Sequence, residues 1–263
     1  MKLKLVPARQ GIVWVRMGMR TFFKQPLAIT GLLFMFATAI RLLNFVPFLG
    51  GGIALALLPA ATLGLMVATE ETNKGKFPMP VVLVSAFRAG RQQLRSMAVL
   101  GVLYALGFAL IMGLSTLVDD GQFVRLYLGG EVNPEQLMQS DFELAALTAM
   151  VLHLPLSLMF WHAPALVHWH GFSPVKSLFF SLVACLRNFW AYTLFGLTWM
   201  AAFMTMMLVV AVIAPIANNP AVVIAILIPL GLSMTAMFFT SLYFTFVDTF
   251  DITPGEPDDA AHP

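Results

Sequence analysis

Charged residues are scarce in this chain of 263 residues: they make up only 11% of it, against about 25% in soluble domains. Hydrophobic residues make up 59%, and the mean hydropathy is +0.85. This composition excludes an ordinary soluble domain and predicts an integral membrane protein. The formal net charge is only +2, so the charge balance does not indicate a nucleic-acid partner.

Cysteine is almost absent as well. The single cysteine, Cys185, excludes a disulfide within the chain. We interpret it as a small apolar packing residue, because a free cysteine usually packs as a hydrophobe. S-acylation is the alternative.

Recognisable catalytic motifs are missing too. The chain has no P-loop, no nucleophile elbow, no pair of catalytic carboxylates and no HExxH motif. No acidic residue falls in the middle of a predicted span, which excludes a proton or sodium relay built from carboxylates. The sequence therefore predicts a protein that is not an enzyme and that uses neither a cofactor nor a metal.

Long apolar stretches are what the sequence does contain. Six of them are long enough to cross a bilayer, which takes about 20 residues in a helix. We predict an all-α membrane protein with six transmembrane helices arranged as three hairpins. The hairpins form a single polytopic domain over residues 1–250, with spans at about 26–43, 48–69, 98–118, 144–169, 191–217 and 221–247. The tail that begins at Asp248 carries five acidic residues, and residues 251–263 are predicted to be disordered.

A basic amphipathic stretch precedes each hairpin, at 8–24, 81–97 and 174–190. In the first stretch the basic residues recur at spacings of 7, 4 and 4, which places them on one arc of a helix, opposite Trp14, Val15, Met19 and Phe22. Such a helix lies in a membrane interface with its apolar face sunk into the acyl boundary. The basic residues predicted to contact lipid headgroups are Arg9, Arg16, Arg20, Lys24, Arg88, Arg91, Arg95, Lys176 and Arg187.

The distribution of positive charge predicts the orientation. With the N-terminus inside, 13 of the 15 Lys and Arg residues lie on the cytoplasmic side, and only Arg41 and Arg125 lie on the other. Cytoplasmic loops carry such an excess of Lys and Arg. We therefore predict that both termini are cytoplasmic and that all three amphipathic stretches lie on the anionic leaflet.

The second span carries small residues at every fourth position. Small residues at this spacing let helix backbones approach closely in lipid. We predict a packing seam formed by Gly52, Ala56, Ala60, Gly64 and Ala68.

Histidines concentrate in the fourth span and at its end. Two imidazoles on a helix need i, i+4 spacing to share a zinc ion, and the spacings here are 9, 6 and 2. We interpret the last three as interfacial residues beside tryptophans, with a metal site completed from other spans as the alternative. The first lies deep in the membrane, where an ionisable residue is a functional hypothesis by default; a neutral, hydrogen-bonded imidazole is the alternative. These candidates are His153, His162, His168 and His170.

Several stretches resemble those of an uncharacterised family of bacterial six-span inner-membrane proteins of about this length. They read LLPAATLGLM, SAFRAGRQQLR, FWHAPALVHWHG, SPVKSLFFSLVACLRNF and MFFTSLYFTF. The resemblance covers nearly the whole chain. It implies a bacterial inner (cytoplasmic) membrane protein and implies no activity.

Three hypotheses on function follow from these features. The first is a membrane protein that binds lipids of the anionic cytoplasmic leaflet and acts as a scaffold or accessory protein, with a membrane-protein partner or a second copy of itself. The second is a transporter or channel for a small apolar or amphipathic solute, with His153 and His162 facing a cavity between spans 2, 4 and 6. The third is an intramembrane enzyme or a metal handler that uses the His cluster, for which His162, His168 and His170 must converge.

Overall fold

The computed structural model describes residues 3–46, 49–130, 141–217 and 219–250. Among these residues, a 3-10 turn over Pro80–Val84 lies between two α-helices. The α-helices of the described residues are α1 Gln10–Phe22, α2 Pro26–Leu43, α3 Gly50–Asn73, α4 Ser85–Arg88, α5 Arg91–Asp119, α6 Gln122–Tyr127, α7 Phe142–Phe160, α8 Ala163–His170, α9 Pro174–Arg187, α10 Phe189–Ala217 and α11 Pro220–Thr249.

Six segments among the described residues are long and apolar enough to cross a membrane, which confirms the predicted all-α, six-span fold. They are span 1 Pro26–Leu43, span 2 Gly50–Asn73, span 3 Arg91–Asp119, span 4 Phe142–His170, span 5 Phe189–Pro215 and span 6 Pro220–Thr249. Most of them expose large apolar side chains, as lipid-facing helices do. Span 2 is the most buried and packs against spans 1, 3 and 6.

Helices α1, α4, α8 and α9 gather at one end of the bundle, here called the basic end. It carries the starts of spans 1, 3 and 5 and the finishes of spans 2, 4 and 6. All nine basic side chains named as headgroup contacts are exposed. Their exposure leaves them available to lipid phosphates at this end.

Helix α1 departs from the sequence interpretation. Helix α1 packs against spans 5 and 6. Most of its apolar face is turned to protein, since Trp14, Val15 and Phe22 are buried, whereas Met19 stays exposed. Glycine makes this close approach possible, because a Cβ on Gly11 would lie 2.2 Å from the carbonyl oxygen of Ala191. Most of the face that was predicted to contact the bilayer therefore contacts other helices of the protein.

The second amphipathic stretch, 81–97, is not one helix, and the prediction is wrong there. Gly90 has a φ of +116°, a conformation that favours glycine, and it separates α4 from α5. Arg91 and Arg95 therefore lie on the first turns of span 3, while Arg88 lies on α4. A periodic pattern of side chains cannot reveal a break that the backbone of one glycine produces.

Span 4, predicted over 144–169, is broken at Trp161–His162. The backbone N–H of His162 donates to the Ser181 hydroxyl (2.9 Å). That hydroxyl donates to the carbonyl of Leu158, four residues before His162 (2.7 Å). A side chain from α9 thus inserts into the i→i−4 ladder, which is a recognised cause of a kink. Pro164 then lies in the first turn of α8, where its missing N–H costs nothing.

The small-residue seam of span 2 meets several neighbours. A Cβ on Gly101 of span 3 would lie 2.2 Å from the Ala56 carbonyl oxygen, and one on Gly64 would lie 2.8 Å from the Cα of Leu83. Ala60 and Ala68 are buried. Gly52 is different: it is exposed, and a Cβ there would meet nothing within 4 Å. No neighbouring backbone approaches it, so the seam does not extend to Gly52.

Candidate functional site

The basic end holds a buried hydrogen-bond network around His162. The imidazole Nε2 lies 2.5 Å from the Tyr192 hydroxyl, which lies 3.2 Å from the Thr249 hydroxyl. The ring of His162 also contacts Phe246 and Phe250. His162 is fully buried. The network joins spans 4, 5 and 6 and gives His162 a structural role, so it does not face a cavity as the transporter hypothesis required.

The remaining histidines diverge. His170 packs its ring against Phe172 and Phe246. His168 instead lines a pocket at the basic end, together with Glu71 and Arg88. Within the described ranges, no three His, Cys, Asp or Glu side chains come close enough to hold a metal ion. The metal-handler hypothesis therefore finds no support in the described part of the chain.

His153 lines a cavity of about 280 Å³ between spans 2, 3 and 4, beside α6. The walls are mainly apolar, and the polar groups come from His153, Tyr104 and Tyr127. The His153 ring lies edge-on to Phe108, with ring centroids 6.1 Å apart. Span 6 contributes no residue to this cavity, which therefore differs in position from the central cavity that the transporter hypothesis places between spans 2, 4 and 6.

Helix α1 is hydrogen-bonded to the end of span 6. The side-chain amide of Gln10 and the indole N–H of Trp14 both donate to Oδ2 of Asp248, at 2.5 and 2.8 Å. The sequence predicts that Asp248 begins the acidic tail, whereas in the structure it lies in the last turn of α11. Residues 251–263, predicted to be disordered, lie outside the described residues.

The segment that precedes α1 is also hydrogen-bonded to the bundle. The Asn188 carboxamide accepts from the backbone N–H of Val6 (2.9 Å) and donates to the carbonyl of Lys4 (3.1 Å). The backbone N–H of Lys4 donates to the carbonyl of Thr249 (3.0 Å). Asn188 was not singled out in the sequence, because a lone asparagine between two helices carries no periodic signal. These bonds position α1 on the bundle.

An open groove of about 540 Å³ runs along the outer side of α1, next to span 5. Two exposed arginines, Arg16 and Arg20, lie on this side at i, i+4 spacing. Neither has a carboxylate partner among the described residues. The lining residues, called here the α1 groove, are Ile12, Val15, Arg16, Met19, Arg20, Phe23 and Thr198. The groove joins two cationic groups to an exposed apolar surface.

Cys185 is buried in α9, with its thiol directed towards the Leu158 carbonyl oxygen at 3.8 Å. Burial raises the pKa of this thiol to about 12. A buried thiol with so little thiolate at neutral pH is a poor nucleophile. The structure therefore supports the interpretation of Cys185 as a packing residue over S-acylation.

The fold and these surfaces define a class: a helical, six-span membrane protein with a basic end and a buried polar network. The chain is 36% identical over 262 residues to a protein of Burkholderia thailandensis described as a probable inner membrane protein, covering 98% of this chain and 97% of that relative. The chain therefore belongs to the same family of inner-membrane proteins. No family model matches the chain, and no solved structure matches it.

Proposed function

We propose that this inner-membrane protein is a non-catalytic lipid-binding protein that acts as a scaffold or accessory protein at the anionic cytoplasmic leaflet. The α1 groove is the observation that carries the proposal. Its exposed apolar side chains suit an acyl chain, and Arg16 and Arg20 suit a lipid phosphate. Arginine binds phosphate well because its planar guanidinium offers paired donors.

The orientation that this function needs has both termini in the cytoplasm. The 13 Lys and Arg residues on the predicted cytoplasmic side support it, against two on the other. Reporter fusions after Asn73 and after Tyr127 test it. A cytoplasmic signal from the first and a periplasmic signal from the second are expected, and the reverse pattern would contradict the proposal.

Removal of the groove charges tests the lipid site. Each basic residue near an anionic surface contributes about 1 kcal/mol, so Arg16→Gln with Arg20→Gln should weaken binding to phosphatidylglycerol by about 2 kcal/mol, or roughly 30-fold. Both side chains are exposed and have no carboxylate partner in the described part of the chain, so the double variant should fold normally. Binding is measured by calorimetry with short-chain phosphatidylglycerol.

Arg125→Gln is the matched control. Arg125 is exposed and follows span 3 at the end of the bundle opposite the basic end. It should leave phosphatidylglycerol affinity unchanged. An equal loss in both variants would show a non-specific effect of net charge, and no loss in the groove variant would contradict the lipid site.

The cavity at His153 favours a second candidate function, the transport or binding of a small apolar solute. Its volume of about 280 Å³ and its three polar side chains suit a molecule with one polar group. Ala149→Trp would fill the cavity, since Ala149 is a buried lining residue. Solute uptake into vesicles that persists in a folded Ala149→Trp protein would remove this candidate.

A further inference from the structure

A second pocket at the basic end combines both signs of charge. It has a volume of about 330 Å³ and lies between the end of span 2, α4 and α8. Its polar side chains are Glu71, Ser85, Arg88 and His168, and its apolar walls come from Val67, Val81, Val82 and Ala89. It shares no residue with the α1 groove.

The opposite charges in this pocket are not paired with each other. Among the described residues the ion pair at the end of α3 joins Lys74 to Glu70 at 2.6 Å, which leaves Glu71 without a cationic partner. Arg88 likewise has no carboxylate within ion-pair distance in the described part of the chain. A carboxylate and a guanidinium that line one pocket without meeting leave room for a ligand that carries the complementary charges.

Two buried polar atoms in the same pocket residues are also unsatisfied. The Ser85 hydroxyl and Nδ1 of His168 are buried and have no hydrogen-bond partner among the residues that the structure describes. Buried polar atoms are rarely left unpaired, because the loss of their contact with water is then uncompensated. A hydroxyl can donate to a phosphate oxygen, and an imidazole nitrogen can donate or accept according to its tautomer.

The segment beside the pocket indicates its depth. Phe77, Met79, Val81, Val84 and Phe87 all expose large fractions of their apolar side chains around the turn that forms one wall. A short segment with such side chains, next to basic residues, is typical of the membrane interface. The pocket therefore lies where phospholipid headgroups lie.

We infer that this pocket binds a phosphoethanolamine group, with the phosphate at Arg88 and Ser85 and the primary ammonium at Glu71. The zwitterion matches one cationic and one anionic side chain, whereas an anionic headgroup would leave Glu71 unmatched. Because the pocket is inferred to lie at the level of the lipid headgroups, phosphatidylethanolamine is the favoured source of this group. Free phosphoethanolamine has the same chemistry and is separated from the lipid by the experiment.

The experiment is calorimetry on the full-length protein in detergent, with short-chain phosphatidylethanolamine, phosphatidylcholine and phosphatidylglycerol and with free phosphoethanolamine. Phosphatidylethanolamine should bind about tenfold more tightly than phosphatidylcholine, whose ammonium has no N–H to donate to Glu71. Glu71→Gln should abolish that preference, and Arg88→Gln should weaken phosphatidylethanolamine about tenfold. The matched controls, Glu143→Gln and Arg125→Gln, alter exposed charges outside the pocket and should change nothing.

The outcomes separate this inference from the proposed function. Equal affinity for phosphatidylethanolamine in the wild type, Glu71→Gln and Arg88→Gln would overturn it, whatever happens at the α1 groove. A rise in phosphatidylglycerol affinity in Glu71→Gln, without a wild-type preference for ethanolamine, would also overturn it. Binding of free phosphoethanolamine as tight as that of the lipid supports the pocket chemistry and assigns it to a soluble ligand. Variants are compared only after their melting temperatures match that of the wild type.

Discussion

The attachment of α1 to Asp248 gives the sharpest test of the structure. One carboxylate oxygen accepts from both Gln10 and Trp14. A hydrogen bond to a charged group contributes about 1.5–3 kcal/mol, and the lower part of that range applies because these bonds are only partly buried. Trp14→Phe removes the indole N–H and also leaves part of the buried ring volume unfilled, so it should lower the free energy of unfolding by at least about 1.5 kcal/mol. Asp248→Ala removes both bonds and should cost about 3 kcal/mol.

A double-mutant cycle isolates the bond. In the Asp248→Ala background the indole N–H has already lost its acceptor, so adding Trp14→Phe should cost much less than it does alone. The coupling energy should be about 1–2 kcal/mol, within the range for residues in direct contact. Unfolding is followed in mixed micelles by titration with a denaturing detergent. Strictly additive costs would refute the proposed attachment of α1.

Three further predictions concern packing at the basic end. Gly18→Leu should destabilise the protein by at least about 1–3 kcal/mol, because even a Cβ at Gly18 would lie 2.5 Å from the Cβ of Ser241. Gly31→Leu is the control and should be nearly neutral, because a Cβ at Gly31 would meet nothing within 4 Å. Ser181→Ala should cost about 1–3 kcal/mol, since it removes the hydroxyl inserted in the broken span, and an unchanged midpoint would argue against that insertion. Cys185 should resist maleimide in the folded protein at neutral pH and react after unfolding, because its thiol is buried. The exposed control Lys176→Cys should be labelled at once, and equal rates would contradict the burial of Cys185.

The six spans could be read from the sequence because the bilayer acts on local composition. A run of apolar residues such as 26–43 crosses whatever its neighbours do, and helix α2 begins and ends at those residues. The exposure of the basic residues could also be predicted, because placing a charged side chain in an apolar environment is costly. Family membership was anticipated from whole stretches of sequence, and the relative of nearly equal length confirms it.

The packing partners could not be read in the same way. Trp14 looked lipid-facing because periodicity shows only that a helix has an apolar side, and both lipid and protein satisfy it. The breaks at Gly90 and His162 depend on one backbone angle and one inserted hydroxyl. Asp248 looked like part of a tail because the donors that hold it lie more than 200 residues away in the chain.

The sequence by itself determined that the chain crosses a membrane six times and that its positive charge is unevenly shared between the loops. Hydrophobicity and charge act residue by residue, so they need no knowledge of the fold. Only the tertiary structure decided that His162 is a buried structural residue, that Glu71 and Arg88 share a pocket without pairing, and that α1 turns its aromatic face to protein. Those outcomes depend on which helices meet, because contacts between distant residues are set by packing and hydrogen bonding across the bundle.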